Sequence, residues 1–156
     1  MDANATDRDA RSIVTTRLID APRDLVWQAW TDPNHLANWW GPDGFTTTTH
    51  SFDFRAGGVW RFTMHGPDGR DYENRITYEE IVAPERIVYR HGGGEDVDPV
   101  QFQTVASFED LGGTTRLTMH MQFPSAAERD RVVAEYGADK GLAETMSHLA
   151  DYVATL

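Results

Sequence analysis

The sequence predicts an α+β fold: one curved antiparallel sheet of about seven strands wrapped around a long C-terminal helix, with two short helices after the first strand. Three observations carry this. From Phe45 to Phe123 apolar and polar residues alternate with period two, broken by turn chemistry. The last stretch carries one apolar stripe, Leu142, Met146, Leu149, Val153 and Leu156, at steps of four and three, as an amphipathic helix does. Between the first strand and the rest, Val26, Trp27 and Trp30, then Leu36, Trp39 and Trp40, recur at helical spacing.

Met1 to Arg11 is small and charged without periodicity and reads as a disordered tail, leaving residues 12–156 as a single domain. Ile13 to Ile19 alternates branched apolar residues with Thr and Arg, the pattern of a half-buried strand. Pro22 suits the first turn of the next helix, where a missing N–H costs nothing. Asp32-Pro33 interrupts that helix and starts another, which Gly41-Pro42 stops. Five breaks follow, at Gly57-Gly58, Pro67-Asp68-Gly69, Ala83-Pro84, Gly92 to Pro99 and Leu111-Gly112-Gly113, and five breaks separate six strands. Gly57-Gly58, just before Trp60, is the expected bulge or bend that lets the sheet curl. Ser125 to Glu135 and Ala138 to Thr155 read as helix, bent around Gly137.

Alternation sorts the strands into faces. Trp60, Phe62 and Met64 fall inside, and Arg61, Thr63 and His65 outside. Leu117, Met119, Met121 and Phe123 fall inside as well. The remaining inner sets are Tyr72, Asn74, Ile76 and Tyr78; Ile87, Tyr89 and His91; and Val100, Phe102, Thr104, Ala106 and Phe108. This interior carries polar tips at Tyr72, Asn74, Tyr89, His91, Thr104 and, from the flank of the last helix, His148. Each costs about 1 to 3 kcal/mol unless it finds a partner. As a set they suit a pocket that orients a mostly apolar ligand through a few polar contacts.

Composition and motif spacing mostly exclude. A net charge of -11 repels phosphate backbones, so nucleic acid is not an expected partner. The absence of cysteine removes disulfides and thiolate chemistry. There is no G-x-S-x-G elbow for an activated serine. The six histidines show no H-x-H, H-x-x-x-H or H-E-x-x-H spacing, so neither a metal nor a cofactor is expected. Gly92-Gly93-Gly94 lacks phosphate-loop spacing, and Glu95, Asp96 and Asp98 do not follow a calcium-loop pattern. No signal-like or membrane-length apolar run is present, which makes a soluble cytoplasmic protein the expectation.

A further layer comes from resemblance. The stretch I-D-A-P-R-D-L-V-W-Q-A-W-T-D-P-N-H-L-A-N-W-W-G-P-D-G-F from Ile19, followed by F-R-A-G-G, resembles the helix-grip (START-like, or SRPBCC) superfamily. Within it the chain is similar to the C-terminal domain of the activator of heat-shock protein 90 ATPase. The likeness continues through G-G-V-W-R-F-T-M, the P-D-G turn, Y-E-E-I-V-A-P-E-R-I-V-Y and the closing L-A-D-Y-V. It implies a cavity between sheet and last helix, with one mouth near Trp39, Trp40 and Phe45. The expected cavity residues are then Trp39, Trp40, Phe45, Trp60, Phe62, Met64, Tyr72, Asn74, Tyr89, His91, Phe102, Thr104, Met119, Met146 and His148.

The leading functional expectation is a binding domain for a small hydrophobic molecule. Relatives resembling polyketide cyclases and dehydratases imply a second, a cofactor-independent cyclase, dehydratase or hydrolase using His91, Tyr72 and Asn74 for acid-base work. The family name implies a third, stimulation of a heat-shock protein 90 ATPase, which ranks low because the chain lacks the N-x-N-N-W-H-W segment. A homodimer is left open. Where similar proteins often carry Gly-Trp in the last helix, this chain has Gly141-Leu142, so its cavity is expected to differ in size or shape.

Overall fold

The computed structural model describes residues 10–92 and 102–156, apart from the side chains of residues 135 and 136. Strand β1 (Ser12–Ile19) leads into helix α1 (Arg23–Thr31) and the single turn α2 (Pro33–Leu36). Six strands follow: β2 (Thr46–Phe52), β3 (Val59–His65), β4 (Asp71–Val82), β5 (Arg86–Gly92), β6 (Phe102–Asp110) and β7 (Thr115–Gln122). Helices α3 (Ala126–Tyr136) and α4 (Ala138–Val153) close the chain. The strands form one seven-stranded sheet in the order β1-β7-β6-β5-β4-β3-β2. Every pairing is antiparallel. The sheet stays open, with β1 and β2 as its edges.

Local chemistry sets these boundaries. Asp32 caps α2, its Oδ1 accepting from Asn34 N at 2.9 Å. Ser125 caps α3 by accepting from Glu128 N at 3.1 Å. Gly137 takes a left-handed φ of 61°, ending α3 and beginning α4, so the expected bend falls at that glycine. Of the expected tail Met1 to Arg11, residues 1–9 lie outside the described residues, whereas Arg11 O accepts from Phe123 N at 2.9 Å. The expected turn from Gly92 to Pro99 also lies outside them from residue 93 onward, as do Glu95, Asp96, Asp98 and Val100.

The sheet curls at the expected glycine pair and at two further places. Gly57-Gly58 forms the tight return from β2 to β3, where a Cβ on Gly58 would stand 2.1 Å from Asp53 O, and it is also the expected bulge, because Gly57 N donates to Tyr78 O at 2.7 Å and Tyr78 N to Gly58 O at 2.9 Å, two residues facing one. Two further register shifts lie between Thr49 and Ser51 in β2 and between Tyr78 and Glu80 in β4. One extra residue in each of these strands bends the sheet. Period-two alternation hides such a residue, because the pattern resumes on either side of it.

Helix α4 lies on the sheet's inner face with Met146, Leu149 and Val153 buried and Leu142 half-buried. The stripe does not reach Leu156, which is 49% exposed because the helix has already ended at Val153. Arg17 Nη1 donates to Ser147 Oγ at 3.2 Å, holding α4 to β1. The main core unites Ile19, Val26, Trp30, Trp60, Ile87 and Leu149 with their neighbours. A second cluster, Ile13, Met121, Phe123 and Val132, joins β1 and β7 to α3. Among the described residues no helix is long and apolar enough to cross a membrane.

Candidate functional site

A cavity of about 450 Å³ separates α4 from the sheet. Five strands contribute to its floor because alternate residues point to one face. Met64 comes from β3, Tyr72 and Asn74 from β4, Tyr89 and His91 from β5, Phe102 and Thr104 from β6, and Met119 and Met121 from β7. Register brings them together. Met64 stands opposite Tyr72, Tyr89 opposite Thr104, and His91 opposite Phe102. Helix α4 supplies the roof with Leu142, Thr145, Met146 and Leu149, which follow one another at helical spacing. The segment after α2 supplies Trp39, Trp40, Gly41 and Phe45, and α3 adds Val132.

Twelve of the fifteen expected cavity residues line this space, and Trp60, Phe62 and His148 do not. Trp60 and Phe62 are 1% and 0% exposed and stack on each other at 4.0 Å. Trp40 meets Trp60 edge-on at 5.0 Å and Phe62 at 6.1 Å, so those two rings back the wall that Trp40 helps to form. His148 turns away from the interior. Its Nδ1 donates to Gly41 O at 2.8 Å and its Nε2 meets Asp43 Oδ1 at 2.6 Å.

Trp30, which was not among the expected cavity residues, also lines the cavity, with its buried Nε1 lacking a hydrogen-bond partner among the described residues. Sequence reasoning did not place Val132 or Thr145 at the wall either. Thr145 sits three residues after Leu142 and four before Leu149, so extending the apolar stripe to its polar flank would have found it. No comparable signal marks Val132.

The polar tips form an ordered chain. Asn74 Nδ2 donates to Tyr72 O at 3.0 Å, which turns the amide oxygen toward His91. His91 Nε2 stands 2.8 Å from that Oδ1. The two residues are diagonal neighbours on paired strands, since His91 is directly opposite Ile76. Phe102 and Phe62 flank the imidazole, with ring centroids at 5.0 and 6.3 Å. Burial lowers the His91 pKa to about 4, so the ring is neutral at pH 7. Burial raises the Tyr89 pKa, with a hydrogen bond to Thr104 acting in the opposite direction. Burial and then the neighbouring Tyr89 raise that of Tyr78. Among the described residues no cluster of His, Asp or Glu is arranged to hold a metal ion.

An open antiparallel sheet gripping one long helix across an apolar chamber defines a helix-grip protein. A family model described as Activator of Hsp90 ATPase homolog 1-like protein matches residues 20–154, and the chain belongs to that family. Among solved structures, it is similar to a protein from Arthrobacter aurescens, at 28% identity over 95% of this chain and 88% of that one, with a TM-score of 0.86. It is similar to protein Ms6760 from Mycobacterium smegmatis, at 27% identity over 96% and 91% of the two chains, with a TM-score of 0.78. A likeness of fold alone extends to DynU16, from the dynemicin biosynthetic locus, at 22% identity over 93% of this chain and 48% of that one, with a TM-score of 0.68. No curated protein matches the chain.

Proposed function

We propose that this protein binds a small hydrophobic molecule in the cavity between the sheet and α4. The observation that carries this reading is the chamber of about 450 Å³ with an aromatic and methionine lining interrupted by a few polar side chains. That size and composition are usual for small-molecule sites, where apolar area supplies affinity and sparse polar groups supply orientation. Trp39, at 3% exposure, and the half-buried Trp40 stand at the wall, so an occupant changes the surroundings of two indoles. Titrating intrinsic tryptophan fluorescence with lipids, sterols, aromatic acids and fused-ring phenols tests it. Saturable changes with one chemical class are the expected outcome, and an unresponsive protein across the panel overturns the reading.

A second reading, turnover of such a molecule without a cofactor, draws on the Asn74–His91 hydrogen bond inside the chamber. A ring with a pKa of about 4 is a weak base at pH 7, and this favours binding over proton abstraction. Turnover that is abolished in His91→Ala while the fold is retained would reverse that order.

A further inference from the structure

The cavity's polar groups set the kind of molecule that fits, on the reading that the chamber binds a ligand at all. Among the described residues its lining carries no Asp, Glu, Lys or Arg. A charged ligand group buried there would lose its hydration without gaining a counter-ion, which is strongly unfavourable. The occupant is therefore neutral.

The hydrogen-bond chain then sets which partner is wanted. Tyr72 O is a carbonyl and only accepts, so the Asn74 group facing it is the NH2, and the group facing His91 is the amide oxygen. That oxygen also only accepts, which requires His91 Nε2 to carry the hydrogen. A neutral imidazole holds one ring hydrogen, so Nδ1 presents a lone pair. Nδ1 has no hydrogen-bond partner among the described residues and is not among the sealed unpartnered atoms, so it keeps contact with open space. The groups shown against the ring are Phe62 from β3, Asn74 from β4 and Phe102 from β6, none of them charged.

We propose that the cavity selects uncharged aromatic alcohols, with the ligand hydroxyl donating to His91 Nδ1 and its ring packed among the aromatic side chains beside that imidazole. The phenolic class follows from two features together: an acceptor that needs a donor, and flanking rings at 5.0 and 6.3 Å that favour an aryl neighbour. An apolar ligand without a donor leaves the acceptor unsatisfied, and an ether puts two acceptors face to face. Burial of the imidazole keeps it neutral across the physiological range, so the acceptor is present whenever the protein is folded near pH 7.

The test uses three probes of one skeleton at pH 7: 2-naphthol, 2-methoxynaphthalene and 2-naphthoate. Tryptophan fluorescence and calorimetry give their affinities for the full chain and for His91→Phe. The wild type is expected to prefer 2-naphthol over the methyl ether by about ten-fold, the scale of one buried hydrogen bond, and to bind 2-naphthoate most weakly. The preference is expected to collapse in His91→Phe. A 15N spectrum of the wild type does not depend on that variant folding. It should show Nδ1 unprotonated in the free protein and its resonance displaced by 2-naphthol. Equal binding of the naphthol and its ether, or a preference that survives His91→Phe, overturns the donor rule and leaves the chamber a binding site. Tightest binding of 2-naphthoate overturns the neutrality rule, and a protonated Nδ1 overturns the hydrogen-bond assignment. Failure of all three probes to bind the wild type overturns this selectivity together with the binding reading beneath it.

Discussion

His91 shows how one side chain couples the site to stability. Unfolded, it takes up a proton near its ordinary value of 6.5, but in the folded protein its pKa is lowered to about 4 by burial. Between those values the unfolded chain binds a proton that the native protein does not. Stability tied to this residue is therefore fully present above about pH 6.5 and lost as the pH falls through 4, with a total on the order of 3 kcal/mol. Urea unfolding of the wild type and His91→Gln at pH 7 and pH 4.5 checks this. The variant is expected to lose markedly less stability on acidification, and parallel losses would contradict the burial of the imidazole.

The same residue scale shows what alternation can and cannot reveal. Period two placed Trp60, Phe62 and Met64 on one face; Trp60 and Phe62 are buried and Met64 half-buried, while Thr63, expected outside, is buried too, under His50 and Glu73. Alternation carries no information about depth, and depth separates Met64 at the cavity wall from Trp60 and Phe62 beneath Trp40. That difference depends on an indole arriving from the segment after α2, which no property of β3 encodes. His148 failed for a related reason, because its partners Gly41 and Asp43 lie 107 and 105 residues away in sequence.

At the scale of elements, the segment after α2 is held to α4 by several polar contacts. His148 engages Gly41 and Asp43 through its two ring nitrogens, and Asp43 N donates to Glu144 Oε1 at 3.2 Å. Farther along α4, His35 Nδ1 and Tyr152 OH lie 2.6 Å apart, joining that helix to α2. Gly141 adds close packing, since a Cβ there would touch Pro42 at 3.6 Å. These contacts fix Trp40, Gly41 and Phe45 at the cavity's margin. His148→Ala removes both imidazole bonds, and because the Asp43 side chain is 69% exposed the loss should be modest, about 1 kcal/mol. Hydrogen exchange supplies the sharper readout, with faster exchange expected at the amides of Asp43 and Phe45 and little change in β5. Unchanged exchange at those amides would mean that packing alone holds the segment.

Across the whole molecule, two packed clusters meet where the cavity lies. The order of strands and helices was legible because each rests on local periodicity and turn residues, whereas the junction between clusters is a matter of tertiary contact. Phe123 occupies that junction. It is 1% exposed in the cluster that joins β1, β7 and α3, and its ring stands 4.9 Å from Phe102, which in turn stands 5.0 Å from His91 at the cavity wall. Its backbone N–H also bonds Arg11 O, extending the contact between the start of the chain and the end of β7. Phe123→Leu retains apolar character but removes ring contacts and leaves space, a change expected to cost about 1 to 3 kcal/mol, whereas Phe123→Ala should cost about 3 to 5 kcal/mol. Phe102 gains freedom to move into that space, so the wall beside His91 loosens as the core weakens. Urea denaturation measures the first effect, and 2-naphthol affinity of the folded Phe123→Leu variant measures the second. A stability loss with unchanged affinity would show that the two clusters are energetically separate, with the cavity depending on the main core alone.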